Sequence, residues 1–197
     1  MSQWKFWNHD GEMIDDPSKP FTLVCSPETD LWEKPPSVHS ANAPCLLYPA
    51  TKGSFISAKV TVSAEWVQKY DQGGLVLLVH DGSDAPKWVK TGVELFNGQP
   101  QVSTVSTYKW SDWSLRPMAS HTSSSASIEI KSNEDGSLWV YVLDGDGDKS
   151  AMREIAWWGE IDGAVKISVG VYAAKPDKEQ TKLVVSFEGL EIKTSEG

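Results

Sequence analysis

Tyr70-Asp71-Gln72-Gly73-Gly74-Leu75-Val76-Leu77-Leu78-Val79-His80, then Trp88-Val89-Lys90-Thr91-Gly92-Val93-Glu94-Leu95-Phe96-Asn97-Gly98-Gln99, is the stretch that decides the fold. Side chains alternate faces along a strand. Leu75, Leu77 and Val79 therefore share one face with Val89, Thr91, Val93 and Leu95. Gln72, Gly74, Val76, Leu78 and His80 share the other with Trp88, Lys90, Gly92, Glu94 and Phe96. Such alternation suits an antiparallel sheet with one face on a core and one face open. Asn97-Gly98 is a strong two-residue hairpin signal. It predicts Phe96 opposite Gln99, Glu94 opposite Gln101 and Gly92 opposite Ser103, with Pro100 as a place where a bulge would shift that register.

Glycine inside a strand often marks the close approach of a ligand or of another backbone. The sequence therefore predicts a trough floored by Gly74 and Gly92, walled by Gln72, Lys90, Glu94, Trp88 and Phe96. A solvated sheet face with glycines at a bulge stays open beside that reading. Lys90 and Glu94 lie two same-face steps apart, roughly 13 Å on a straight strand, so a ligand rather than a direct pair would join them. As residues of an open face, neither is expected to be needed for the core.

Working outward, Phe21–Ser26, Gly53–Ser63, Ser127–Lys131, Leu138–Leu143, Val165–Tyr172 and Leu183–Ile192 read as further strands, with a bulge in Gly53–Ser63 and a hairpin at Glu134–Ser137. Residues 26 to 49 hold five prolines and read as a long, helix-free loop carrying Asp30, Trp32, His39 and Asn42. The one plausible helical turn is Ser150–Trp158. Many short strands with almost no helix predict an all-β sandwich of two antiparallel sheets, as a single domain over residues 1–197.

The net charge of −9, with arginine only at Arg116 and Arg153, disfavours nucleic acid and anionic membranes as partners. No apolar run approaches membrane-spanning length and the first residues carry no secretory pattern, so a cytoplasmic protein is expected. Cys25 and Cys45 are too few for a disulfide framework and read as free thiols. Asp144-Gly145-Asp146-Gly147-Asp148 fails the EF-hand spacing and reads as an acidic turn, and His9, His39, His80 and His121 share no metal-like spacing. No phosphate loop, dinucleotide fingerprint or nucleophile elbow occurs, so neither metal nor cofactor is expected.

Several islands together carry a resemblance: Thr29-Asp30-Leu31-Trp32, Asn42-Ala43-Pro44, Tyr70–Leu75, Trp88–Glu94 and Ser111-Asp112-Trp113-Ser114. The set resembles the regulation-of-enolase-protein family, and it spans roughly Trp4 to Ile192. The resemblance implies a concanavalin A-like jelly-roll sandwich with a concave, ligand-side sheet face. It departs at Asp144–Arg153, where this chain has an acid-rich insert. Fold alone implies no reaction.

Three functions are open at this point. The first is binding of a small, carbohydrate-like or polar cyclic molecule by Trp32, Gln72, Trp88, Lys90, Glu94, Gln101 and Tyr141, where rings stack and polar groups orient. The second is a cofactor-independent hydrolase, isomerase or cyclase, with Glu94 as general acid/base and Lys90 as electrostatic stabiliser. A glycosidase would need a second carboxylate, for which Asp112 and Asp30 are candidates. The third, prompted by the family name, is a regulator that binds a metabolic-enzyme partner.

Overall fold

A computed structural model describes residues 3–118, 120, 123–144 and 148–195. In chain order the first strands are β1 Lys5–Trp7, β2 Phe21–Cys25, β3 Leu31–Lys34, β4 Val38–Ala41, β5 Cys45–Thr51, β6 Phe55–Ala64, β7 Gln72–His80 and β8 Lys87–Phe96. Then come β9 Gln99–Tyr108, β10 Trp110–Pro117, β11 Ser125–Ser132, β12 Leu138–Leu143, β13 Lys149–Glu154, β14 Lys166–Ala174 and β15 Leu183–Thr194. A seven-stranded sheet runs β1-β5-β14-β7-β8-β9-β10, a six-stranded sheet runs β13-β12-β11-β6-β15-β2, and β3-β4 form a separate hairpin. Every ladder between these strands is antiparallel. The expected two-sheet sandwich is the fold.

The turn chemistry acts as its residues predict. Asn97 (φ 52°) and Gly98 (φ 74°) are both left-handed. Two such residues in succession match the twist of the flanking strands. The register follows: Phe96 pairs with Gln99, Glu94 with Gln101 and Gly92 with Ser103, and Pro100 causes no slip. The bulge expected in Gly53–Ser63 is at Ile56, where the register steps from Ser57 opposite Lys193 to Phe55 opposite Thr194, and the partner β15 carries a second one between Glu188 and Glu191, where Gly189 takes φ 63°. Of Ser150–Trp158, only the last residues coil. The stretch enters β13 and then a 3-10 turn at Ala156–Glu160, because residues 149–154 pair with β12 and only the following segment is free to coil. Of the acidic run, 145–147 lies outside the described residues.

Leu75, Leu77, Val89 and Val93 face the six-stranded sheet and pack with Val62, Ile128, Ile130, Val140, Val185 and Phe187, all almost fully buried. Each such aliphatic side chain contributes about 1.5–3 kcal/mol of transfer free energy. The opposite face of the seven-stranded sheet is not open. Val76, Leu78, Trp88, Val105 and Tyr172 form a second buried cluster there, closed by Leu31 and Ala43. The loop read from residues 26 to 49 supplies that cover: its prolines exclude helix but not the β3–β4 hairpin, whose tip holds Pro35-Pro36.

The glycines have a backbone explanation. Gly74 and Gly92 are paired across β7 and β8. A Cβ on Gly92 would stand 1.9 Å from the Gly73 carbonyl oxygen and 2.7 Å from Gly74 Cα. Two main chains approach each other at this point, which accounts for both glycines without a ligand.

Candidate functional site

Beside the hairpin, on the covered face of the seven-stranded sheet, lies a cavity of about 310 Å³ lined by Asp30, Trp32, Tyr70, Gln72, Lys90, Glu94, Trp113 and Pro176. Four of the residues expected from sequence (Trp32, Gln72, Lys90 and Glu94) meet here, together with Asp30.

Local structure places each of them. Asp30 is fixed through the Asn42 side chain: Asp30 N–H donates to Asn42 Oδ1 (2.9 Å) and Asn42 Nδ2 donates to the Glu28 carbonyl (2.9 Å). Thr29 ties the same loop to the end of β14, its N–H donating to the Lys175 carbonyl (3.1 Å) and its Oγ1 accepting from the Lys175 N–H (3.0 Å). Tyr70 takes φ 72°, unusual for a bulky residue. Its N–H donates to the Leu95 carbonyl (2.8 Å), and the buried Asp71 caps the preceding turn by accepting from Val67 and Gln68 N–H. The left-handed turn lays the Tyr70 ring against Phe96 (centroids 6.0 Å apart) and Trp113 (6.1 Å).

The polar floor is a chain of charge-assisted bonds. Lys90 Nζ donates to Asp30 Oδ1 at 2.9 Å. The same oxygen accepts from Leu31 N–H (2.8 Å) and Gln72 Nε2 (3.3 Å). Tyr172 Oη donates to Gln72 Oε1 at 3.3 Å. The Lys90 ammonium also sits 5.9, 5.7 and 5.8 Å from the ring centroids of Trp32, Trp88 and Tyr172. Cation–ring attraction there compensates part of the cost of burying a charge.

Glu94 is set apart from that chain. Ser103 Oγ (2.6 Å) and Trp113 Nε1 (3.1 Å) both donate to its Oε2, so neither bond uses Oε1. Burial pushes the Glu94 carboxyl above its usual range. The Lys90 charge and the Ser103 bond pull the other way, Asp30 adds to the rise, and the balance is upward. A carboxyl so placed can hold or give a proton nearer neutrality than an exposed one.

Two expectations are corrected here. Lys90 and Glu94 are 2% and 5% exposed, not surface residues of an open sheet. Trp88 is buried under the hairpin and reaches this cavity only through Lys90. The structure also separates three other candidates from the cavity. Gln101 pairs with Glu94 and Pro117 in the ladder, but its side chain is not among the lining groups. Asp112 is exposed and holds Arg153, whose guanidinium also donates to Ser114 Oγ (2.6 Å), so that β10 is tied to β13 across the sandwich edge. Tyr141 stacks on Trp139 (6.3 Å) on the far sheet, since its neighbour Val140 points into the core. The residues that the sequence reading passed over are Tyr70, Trp113 and Pro176. The signal for Trp113 was its alternation with Ser111, which places both on the hairpin side of β10.

Among the described residues no cluster of three or more His, Cys, Asp or Glu could hold a metal ion, and no helix is long and apolar enough to cross a membrane. Cys25 and Cys45 are both free. They lie on opposite sides of the seven-stranded sheet, one in each buried cluster.

Comparison with known proteins agrees with this architecture. An uncharacterized protein of Emericella nidulans is 42% identical over 176 residues, 89% of this chain and 87% of that protein. Regulation of enolase protein 1 of Saccharomyces cerevisiae is 30% identical over 114 residues, 58% of this chain and 54% of its own. Among solved structures, a functionally unknown Saccharomyces cerevisiae protein superposes with a TM-score of 0.79 at 22% identity, covering 99% of this chain and 98% of that one. The Lotus tetragonolobus seed lectin superposes with a TM-score of 0.53 at 13% identity, covering 98% of this chain and 100% of the lectin, a likeness of jelly-roll fold alone. With its family model matching residues 7–195, the chain belongs to the family described as Protein of unknown function (DUF1349), and it is homologous to the regulation-of-enolase protein that its sequence islands resemble.

Proposed function

We propose that the cavity bounded by Trp32, Tyr70 and Trp113 binds a small, polar, ring-shaped molecule of about monosaccharide size. One observation carries the reading: a recess of about 310 Å³ combines a hydrogen-bonding floor of Gln72, Lys90 and Glu94 with aromatic walls. That volume is at the small end of ligand sites, and rings beside a few oriented polar groups suit a molecule with apolar faces and polar edges. Calorimetric titration with a panel of monosaccharides and cyclic polyols tests it. Saturable binding that weakens at least tenfold in Trp113→Ala and in Glu94→Gln supports the reading, and no binding across the panel, or binding indifferent to both changes, refutes it.

A second reading has its own observation. Burial raises the Glu94 carboxyl, and a second carboxylate, Asp30, lines the same recess; a buried carboxyl that holds its proton nearer neutrality is what general acid work requires. Under this reading Glu94 is the general acid and Lys90 stabilises developing negative charge. Glu94→Gln would then lower turnover by roughly a hundredfold or more while leaving affinity nearly intact. The regulatory reading rests on the name of a relative aligned to 58% of this chain, and no surface feature described above favours it.

A further inference from the structure

We propose that a second cavity, on the other side of the β3–β4 hairpin, binds an aromatic monocarboxylate. It encloses about 500 Å³ on the same face of the seven-stranded sheet, above β5, β14, β7 and β8, and is bounded outside by β1. Its walls are mostly apolar. Leu31, Leu47, Leu78 and Trp88 are each no more than 8% exposed, while Phe6 and Trp7 close the outer side. A flat, apolar body of one or two fused rings fits walls of this kind and volume.

The polar groups decide the head of the ligand. On a chain with a net charge of −9, this lining carries two ammonium groups, Lys5 and Lys87, and one carboxylate, Glu33, with the His39 and His80 rings beside them; burial pushes the His80 pKa down and favours its neutral form. That carboxylate is 4% exposed and already engaged, with its Oε1 2.6 Å from His39 Nδ1. A carboxylate only accepts, so Nδ1 carries the hydrogen and His39 directs Nε2 away from Glu33. Lys87 is likewise engaged, bonded to Asp81 and to Ser83 Oγ (2.9 Å), and His80 Nε2 lies 2.9 Å from Ser168 Oγ. Lys5 is exposed on the edge strand β1 and makes no ion pair among the described residues. An unengaged ammonium at the mouth of an apolar recess is complementary to an anionic head on an apolar body. Leu31 and Trp88 stand between this cavity and the first one, so the two sites share a wall but not their polar groups.

The test is calorimetry on the full chain with 2-naphthoate and its uncharged isostere 2-naphthamide. Naphthoate is expected to bind saturably and roughly tenfold more tightly than the amide, a difference of about 1.4 kcal/mol. Lys5→Glu, at an exposed position that should leave folding intact, is expected to erase that preference. Ala41→Trp, which projects an indole into the recess from β4, should abolish binding of both, and Glu94→Gln should change neither. The proposal is overturned if naphthoate fails to bind at millimolar concentration or if the amide binds equally well. Retained preference in Lys5→Glu overturns it as well, as does binding lost in Glu94→Gln, which would place the probe in the first cavity.

Discussion

Replacing Lys90 by methionine removes an ammonium that is 2% exposed, keeps most of the aliphatic stem, and leaves Asp30 without its cationic partner. The magnitude follows from opposing effects. A hydrogen bond between charged groups contributes about 1.5–3 kcal/mol, and ammonium–ring contacts at 5.7 to 5.9 Å contribute roughly 0.5–1 kcal/mol each. Against these, the variant no longer desolvates an ammonium, a cost of several kcal/mol. Asp30 is not stranded: it keeps donors from Leu31 and Gln72, and with 23% of its side chain exposed it can recruit water. The net destabilisation should therefore be about 1–3 kcal/mol, below the ~3–5 kcal/mol typical of a fully buried pair. In a chain of this size that lowers the melting temperature by about 2–4 °C per kcal/mol. A thermal and urea double-mutant cycle with Asp30→Asn should return a coupling of about 1–2 kcal/mol. A Lys90→Met cost under ~0.5 kcal/mol, the range of ordinary surface changes, would refute the reasoning, as would a coupling under ~0.3 kcal/mol.

Glu94 should leave its mark on the pH dependence of stability. Its folded pKa is raised above the ordinary 4.5, so its contribution is fully present below that value and is lost as pH rises through the folded pKa. The melting-temperature difference, Glu94→Gln minus wild type, should therefore grow as pH rises above 4.5, and a flat difference would exclude the raised pKa. Gly92→Ala should cost about 3 kcal/mol or more, because its Cβ would meet backbone at 1.9 Å where no flexible side chain can yield; a variant as stable as wild type in urea would contradict the close approach. Both thiols should resist alkylation in the native protein, since burial pushes Cys25 up to about 12 and Cys45 higher still. In denaturant without reductant both should titrate as free, and an intramolecular bridge detected by mass would overturn this.

Much of the sheet was legible in a few residues. Asn97-Gly98 fixed a turn type, the turn fixed a register, and alternation then assigned every side chain of β7 and β8 to a face. What alternation could not say is what covers a face. Val76, Leu78 and Trp88 on the supposedly open side were a second core in plain view, masked by the polar residues interleaved with them. The cover comes from a Pro-rich segment, and local rules for proline exclude helix far more firmly than they identify a short hairpin. Tyr141 failed for a related reason, since period-two patterning sorts inward from outward but not one sheet from the other. The glycines illustrate a true ambiguity: ligand and neighbouring backbone demand the same missing Cβ.

The β3–β4 hairpin is a partition, and its two sides are written in odd and even positions. Asp30 and Trp32 line one recess, while Leu31 and Glu33 line the other. A slip of one residue would exchange the two linings outright, turning a carboxylate and an indole into the apolar room and leucine into the polar one. The register is pinned at the base by Asn42 N–H to the Asp30 carbonyl (3.1 Å) and Asp30 N–H to Asn42 Oδ1 (2.9 Å). Changes of length at the Pro35-Pro36 tip, beyond the last strand pair, should thus leave both linings in place, whereas a single residue inserted between Asp30 and Glu33 should exchange them, a division of tolerance that neither cavity reveals when considered alone.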